Sequence, residues 1–299
     1  MKDVRKIDIH AHVTIYPDIV PKLQITNERF LSSNELIAFY DRLNIEKGVL
    51  LPIVSPEGQW FEMTNESCYL AAKENPERFF WFCNVDPRSC GNDEKADLSY
   101  LIEHYKSFGA KGVGELTSNM YADDPKMENL FYHCVKCDMP VIIHVSPSPG
   151  VNYGIVDEIG LPRIEKELKK FPELKLIGHS QPFWAEMSED LTEELRNDYP
   201  RGKVKEGRLP KLMREYGNLY CDISAGSGAN ALMRDREYAA RFLEEFADRI
   251  LYGCDFCSIT NAHQFELDKF LDGMVTDGYL SLENYKKIVR DNAIKILKI

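Results

Sequence analysis

Apolar runs recur along the chain, rich in β-branched residues, each ending in polar ones. They are KIDIHAH (6–12), KGVLLPIV (47–54), FFWFCNVD (79–86), AKGVGEL (110–116), PVIIHVS (140–146), LKLIGHS (174–180), NLYCDIS (218–224) and RILYGCDF (249–256). Near-continuous apolar strands of this kind suit a parallel sheet buried on both faces. Between them lie segments of helical period, among them SNELIAFYDRL (33–43), ADLSYLIEHYKSFG (96–109), PKMENLFYHCVKC (125–137), LPRIEKELKKF (161–171) and YAARFLEEFA (238–247). Gly109, Pro140 and Gly217 punctuate the junctions where a helix stops and a strand begins. Eight strand-then-helix units predict an α/β fold, a single (β/α)8 TIM barrel occupying 1–299 as one domain. A last helix is expected over 281–299. No GxGxxG follows the first run, which counts against a doubly wound open sheet. The stretches 12–33 and 180–207, after strands 1 and 6, exceed ordinary connections and are candidate active-site loops.

Composition narrows the function classes. The 299 residues include 48 acidic side chains against 37 lysines and arginines, a net charge of -11. Such a surface repels phosphate backbones, so no nucleic-acid partner is expected. The start, MKDVRKIDIHAH, has no apolar stretch of signal-peptide length, and no segment approaches ~18 uncharged apolar residues. A cytoplasmic protein without a membrane partner is expected, with its eight cysteines as thiols. Cys134–Cys137 and Cys254–Cys257 have zinc-site spacing, but one pair lies in a helical segment and the other straddles a strand end, so packing thiols are the simpler reading.

Candidate chemistry gathers at strand ends. His10 and His12 are two apart, so in a strand both point to the same side. Glu115 ends strand 4, His144 strand 5, His179 strand 6 and Asp255 strand 8. In a barrel these ends converge on one mouth. A lone histidine is more often structural, and HxH by itself is a weak signal. Here four of seven histidines fall at strand ends, while His104, His133 and His263 fall in or near helices. Imidazole and carboxylate together suit zinc and its neighbours.

IDIHAH, His144, His179 and YGCDF together resemble the amidohydrolase superfamily over essentially the whole chain, closest to the amidohydrolase-related group of small-acid decarboxylases and lactone hydrolases. That resemblance implies His10, His12, His144 and Asp255 as metal ligands, and His179 as a ligand or a base. Glu115 is similar to the strand-4 glutamate of TatD-like deoxyribonucleases and related two-metal hydrolases. It would bridge two ions, form a salt bridge in the mouth, or touch substrate. Lys111 sits at the wrong end of the strand to serve as a carboxylated bridging lysine. One or two divalent ions are expected, zinc first and manganese next.

Bound metal lowers the pKa of its water towards neutrality, which supports hydrolysis of a small amide, lactone or ester, with Asp255 moving the proton and His179 orienting water or stabilising charge. The alternative is non-oxidative decarboxylation of a small unsaturated or aromatic acid. A TatD-like nuclease comes third, and a metal-binding barrel without catalysis is the non-enzyme reading. Weaker substrate-facing candidates are Arg88, Phe183, Trp184 and Tyr153, each with an ordinary packing or surface role as its rival. His263 opens the last barrel helix, Ser224–Gly228 would permit close backbone approach to a ligand, and the basic run 201–205 reads as a solvated loop or an anion-attracting rim. A small-molecule substrate is the expected partner, and a homo-oligomer is left open.

Overall fold

Each of the eight apolar runs overlaps a strand. The computed structural model describes residues 1, 3–23, 26–58, 63–261 and 263–299. Its strands are β1 (Lys6–Ala11), β2 (Ile45–Leu50), β3 (Phe79–Trp81), β4 (Val113–Leu116), β5 (Val141–Ser146), β6 (Ile155–Val156), β7 (Leu176–His179), β8 (Leu219–Asp222) and β9 (Ile250–Leu251). All pairs are parallel, in the orders β1-β2-β3 and β4-β5-β7-β8-β9, with the short β6 beside β5. Backbone hydrogen bonds join the two runs at both seams. Cys83 N donates to Gly112 O and Gly114 N to Cys83 O at one, while Ile9 N donates to Tyr252 O and Asp255 N to His10 O at the other. The ring therefore holds eight strands in chain order, as predicted, with β6 as an addition.

Two buried clusters show how the strands use their faces. Ile7, Ile9, Val49, Leu51, Phe82, Ile142, Ile177 and Leu251 form one, with Ala293, Ile296 and Leu297 from the terminal helix. Alternate strand residues such as Ala11, Leu50, Val113, Ile143, Leu176 and Cys221 belong to the other, larger cluster with the surrounding helices. The first is the barrel interior, and the helix Asn292–Leu297 plugs it at one end.

Two strands depart from regular register, and both carry candidate site residues. On β1, Asp8 faces Gly48 but Ala11 faces Leu50, so β1 fits one extra residue into that interval. Ile9 and His10 can then both face inward, and His12 follows His10. On β4, Val113 faces Val141 and Leu116 faces Ile143, again one residue over. Gly114 has φ 133°, and a Cβ there would stand 2.5 Å from the Ile142 carbonyl oxygen, so only glycine fits the step that turns Glu115 inward. Such extra residues re-aim side chains next to functional sites.

Helix Ser33–Leu43 follows its predicted span, started by a capping box between Ser32 and Glu35. The expected closing helix runs unbroken from Leu282 to Leu297, with a π turn at Lys287–Asp291 between its α-helical parts Leu282–Lys286 and Asn292–Leu297. The run 249–256 pairs with β8 only at Ile250–Leu251; beyond it Cys254 N is captured by the Asp8 carboxylate, while Tyr252 O, Asp255 N and Phe256 O keep the seam bonds to Ile9, His10 and His12. Within 180–207 the only described helix is the five-residue Gln181–Ala185. Ser224–Gly228 is the start of helix Ala225–Met233, where Gly228 lies against the Ile223 carbonyl. All eight cysteines are free thiols. Among the described residues no helix is long and apolar enough to cross a membrane.

Candidate metal centre

Four side chains meet at the C-terminal mouth of the ring. His10 Nε2 and His12 Nε2 lie 3.0 Å apart. Glu115 Oε2 stands 3.5 Å from the first and 3.4 Å from the second, and Asp255 Oδ1 stands 3.5 Å from each. Donors about 2.1 Å from one tetrahedral cation stand about 3.4 Å from each other, so these spacings fit a single ion's shell. The residues present therefore suit a divalent metal.

The other nitrogens fix the tautomers. His12 Nδ1 lies 3.0 Å from the Leu51 carbonyl oxygen, which only accepts, so Nδ1 carries the proton and Nε2 keeps its lone pair. His10 Nδ1 lies 2.7 Å from Asp222 Oδ2, the carboxylate–histidine arrangement that orients metal-ligating imidazoles. The same Asp222 oxygen lies 3.1 Å from His179 Nδ1, and it accepts at 2.7 Å from Ser224 Oγ. His179 Nε2 is left facing Asp255 Oδ2 at 3.8 Å. His144 Nδ1 donates to Glu115 Oε1 at 2.8 Å. Three triads here have donors close enough to hold an ion: His10 with His12 and Glu115, His10 with His179 and Asp255, and Glu115 with His144 and His179.

Electrostatics agree with a cation. Burial alone would pull the His10 pKa down, but Asp255, Glu115 and Asp222 outweigh it and drive it well above the ordinary value. Burial pushes Glu115 and Asp222 up, yet the imidazoles around them hold both well below the usual carboxylate range. His144 is pulled down by burial, only partly offset by Glu115. Three carboxylates thus crowd one buried imidazole, which is the field a divalent ion would relieve.

The weaker candidates divide. Tyr153 packs against His144 with ring centroids 4.4 Å apart and planes tilted by 46°, and it lines the mouth cavity of about 200 Å³. Phe183 and Trp184 do not line that cavity but pack inward: Phe183 fills the space left by the missing Cβ of Gly178, and Trp184 Nε1 donates to the Asp222 carbonyl at 2.9 Å. Arg88 is held by Asp86 and by both oxygens of Glu57, with bonds of 2.7 Å, so its fork is already filled. The side chain of His263 lies outside the described residues. No cysteine belongs to a metal-capable group among the described residues.

Asp222 was missed by the sequence reading, as were the roles of Gln181 and Tyr199, which line the mouth, while Ser224 was singled out only for close backbone approach and not for its hydroxyl's bond to Asp222. A signal for Asp222 existed: NLYCDIS places a carboxylate at a strand end, where the other candidates sit.

A model of the amidohydrolase family (Amidohydro_2) matches residues 7–299, from the HxH strand to the terminal helix. The chain belongs to the amidohydrolase family. No curated protein matches it. Similar solved structures include an uncharacterised TIM-barrel protein from Bordetella bronchiseptica (17% identity, 99% of each chain, TM-score 0.66). A probable 2-pyrone-4,6-dicarboxylic acid hydrolase from Acinetobacter baumannii is 14% identical over 99% of this chain and 100% of that one, with TM-score 0.60. A 5-carboxyvanillate decarboxylase from Novosphingobium aromaticivorans, complexed with manganese, is 18% identical over 100% and 97%, with TM-score 0.61. At these identities the likeness shows that this amidohydrolase shares their fold.

Proposed function

We propose that this amidohydrolase is a metal-dependent hydrolase of a small amide, lactone or ester. The observation that carries the reading is the meeting of His10 Nε2, His12 Nε2, Glu115 Oε2 and Asp255 Oδ1 at spacings of one coordination shell. These four residues would hold the principal ion, and Glu115, His144 and His179 offer a second position. Mixed imidazole and carboxylate donors suit zinc or manganese. When bound, such an ion supplies Lewis acidity and makes water acidic enough to ionise near neutrality. Asp255 faces the cavity, where its carboxylate accepts the proton of the attacking water and passes it to the leaving group. His179, clamped through Nδ1 by Asp222 and Ser224, aims the lone pair of Nε2 at the cavity, where it accepts a hydrogen bond from the attacking water and orients it. Tyr153 and Tyr199 wall the site.

Decarboxylation of a small acid is the second reading, supported by the manganese-containing decarboxylase that shares this fold. One experiment separates the two. Metal-stripped protein is reloaded with zinc or manganese, bound metal is counted by elemental analysis, and a panel of lactones, esters, amides and aromatic acids is assayed for acid release and for CO2. Metal-dependent acid release without CO2 is expected. Release of CO2 alone would overturn hydrolysis, and protein that takes up no metal would overturn both readings. A count near two that falls to about one in Glu115→Ala would identify Glu115 as the bridge.

A further inference from the structure

The mouth cavity shares Tyr199 and Gly226 with a second, larger cavity of about 580 Å³. Ala229 and Met233 give that cavity an apolar wall, and Arg201 and Arg234 line it too. Both arginines recur around a further hollow of about 330 Å³ beside Tyr199.

The state of these two guanidiniums is unusual for this chain. With 48 acidic residues, most arginines near the surface are taken: Arg88 by Glu57 and Asp86, Arg163 by Asp123 and Glu158, Arg214 by Glu206 and Glu245. Among the described residues neither Arg201 nor Arg234 makes an ion pair. Arg234 is half-buried and donates to Ser188 Oγ, but its Nε is buried with no partner. A buried N–H on a cation without an acceptor is costly, so the position invites an anion. Of the acids nearby, Glu266, in the same cavity, pairs with Lys269 at 2.8 Å, Asp198 Oδ1 accepts from Tyr199 N, and Asp235 is taken by Lys203, Val204 N and Tyr238 N; the exposed Asp190, on the 330 Å³ hollow, favours the charged form of Arg234 through space without forming an ion pair with it.

We propose that this second cavity is an anion subsite, in which Arg201 and Arg234 receive a carboxylate carried at the far end of the substrate while its reacting group lies at the metal centre. The proposal rests on the hydrolase reading of that centre and adds a substrate class. The substrate is a small acid whose distal carboxylate is separated from the reacting group by an apolar spacer running along Ala229 and Met233. Two guanidinium forks match planar carboxylate oxygens, whereas the channel between offers few polar partners.

The test is calorimetric titration of zinc-loaded protein with linear dicarboxylates from malonate to suberate, against monocarboxylates of equal chain length. A charged hydrogen-bonded pair is expected to favour the dicarboxylate by about tenfold or more at the chain length that spans the two cavities. Arg234→Met and Arg201→Met should each remove most of that preference and leave monocarboxylate binding and metal content unchanged. Arg201 is exposed, so its variant keeps the proposal testable even if Arg234→Met folds poorly. Equal binding of both series at every length, or a preference that survives both substitutions, overturns the subsite. Metal content of the same samples reads the centre separately. Protein that binds no metal but keeps an arginine-dependent preference refutes the centre alone, and metal-loaded protein without a preference refutes the subsite alone.

Discussion

Asp222→Asn tests whether the inner shell of this amidohydrolase is organised from behind. Asp222 Oδ2 faces His10 Nδ1 at 2.7 Å and His179 Nδ1 at 3.1 Å, and it accepts from Ser224 Oγ at 2.7 Å, while Oδ1 accepts from Ser224 N at 2.9 Å. Asparagine can present only one oxygen. If its carbonyl keeps the histidines, its amide N–H₂ meets the Ser224 N–H, donor against donor. If it flips, the amide meets His10 and drives the proton to Nε2, the atom aimed at the ion. Charged hydrogen bonds contribute about 1.5–3 kcal/mol and neutral ones about 0.5–1.5, so weakening two imidazole bonds removes roughly 2 kcal/mol. That is a factor of about 30 in metal affinity, within the range of about 10–100 found for such outer partners. The assay is competition for zinc against a chromophoric chelator, with thermal unfolding of the metal-free variant as a control for folding. A dissociation constant within about twofold of wild type in a well-folded variant would refute the orienting role.

Two further predictions concern stability. Glu35 accepts from Arg29 at 2.6 and 2.9 Å and from Ser32 N at 2.9 Å, and these bonds, Arg29 first, hold its carboxyl down from 4.5 to about 2. A depressed carboxyl stabilises the fold above its unfolded value and loses that contribution as pH falls through the folded one. Glu35→Gln should therefore cost about 1 kcal/mol near neutrality by urea unfolding, and the gap should close as pH falls below about 4.5; a pH-independent gap would contradict it. Lys6 Nζ is buried 2.6 Å from Asp268 and 2.7 Å from the Leu43 carbonyl oxygen. Lys6→Met leaves that carboxylate uncompensated and should destabilise by about 3–5 kcal/mol at alkaline pH. Burial already raises the Asp268 pKa despite Lys6, so protonation should shrink the loss as pH falls, and adding Asp268→Leu should recover much of it. A loss equal in the single and double variants would count against the ion pair.

The order of strands was legible because burial on both faces makes each barrel strand a short apolar run, and a ring of parallel strands needs little else to declare itself. PVIIHVS is such a run, and all six residues of β5 are buried. Length was less legible. FFWFCNVD looks like eight residues of strand, but ladder hydrogen bonds run only as far as Cys83, which closes the seam to β4, before Asn84 turns its amide to the Pro52 and Glu115 carbonyls. Side chains that replace backbone partners end strands without any change in apolar pattern. QPFW left a pocket wall and packing within the protein both open, for a related reason. Aromatic residues after a site histidine suit a pocket wall, but Gly178 leaves room beneath β7 for Phe183, and the two rings turn into the core.

The site shows the same division between what a strand position decides and what only the closed ring decides. His10, His12, Glu115, His144, His179 and Asp255 were visible because each is a polar interruption at the end of an apolar run. Their division of labour was not, since it depends on which second atom each one touches. His144 reaches Glu115 through Nδ1, His12 reaches Leu51, and His10 and His179 share Asp222, all contacts between residues at least 29 positions apart. The extra residues in β1 and β4 matter equally. Without the one on β1, Ile9 and His10 would fall on opposite faces, and with Ile9 still inside, the imidazole would point into the helix layer where Asp8 meets Tyr40. An inserted residue thus carries the barrel from its apolar filling to its polar mouth within one strand, and β4 repeats the device for Glu115, so the two strands supply donors to the same point.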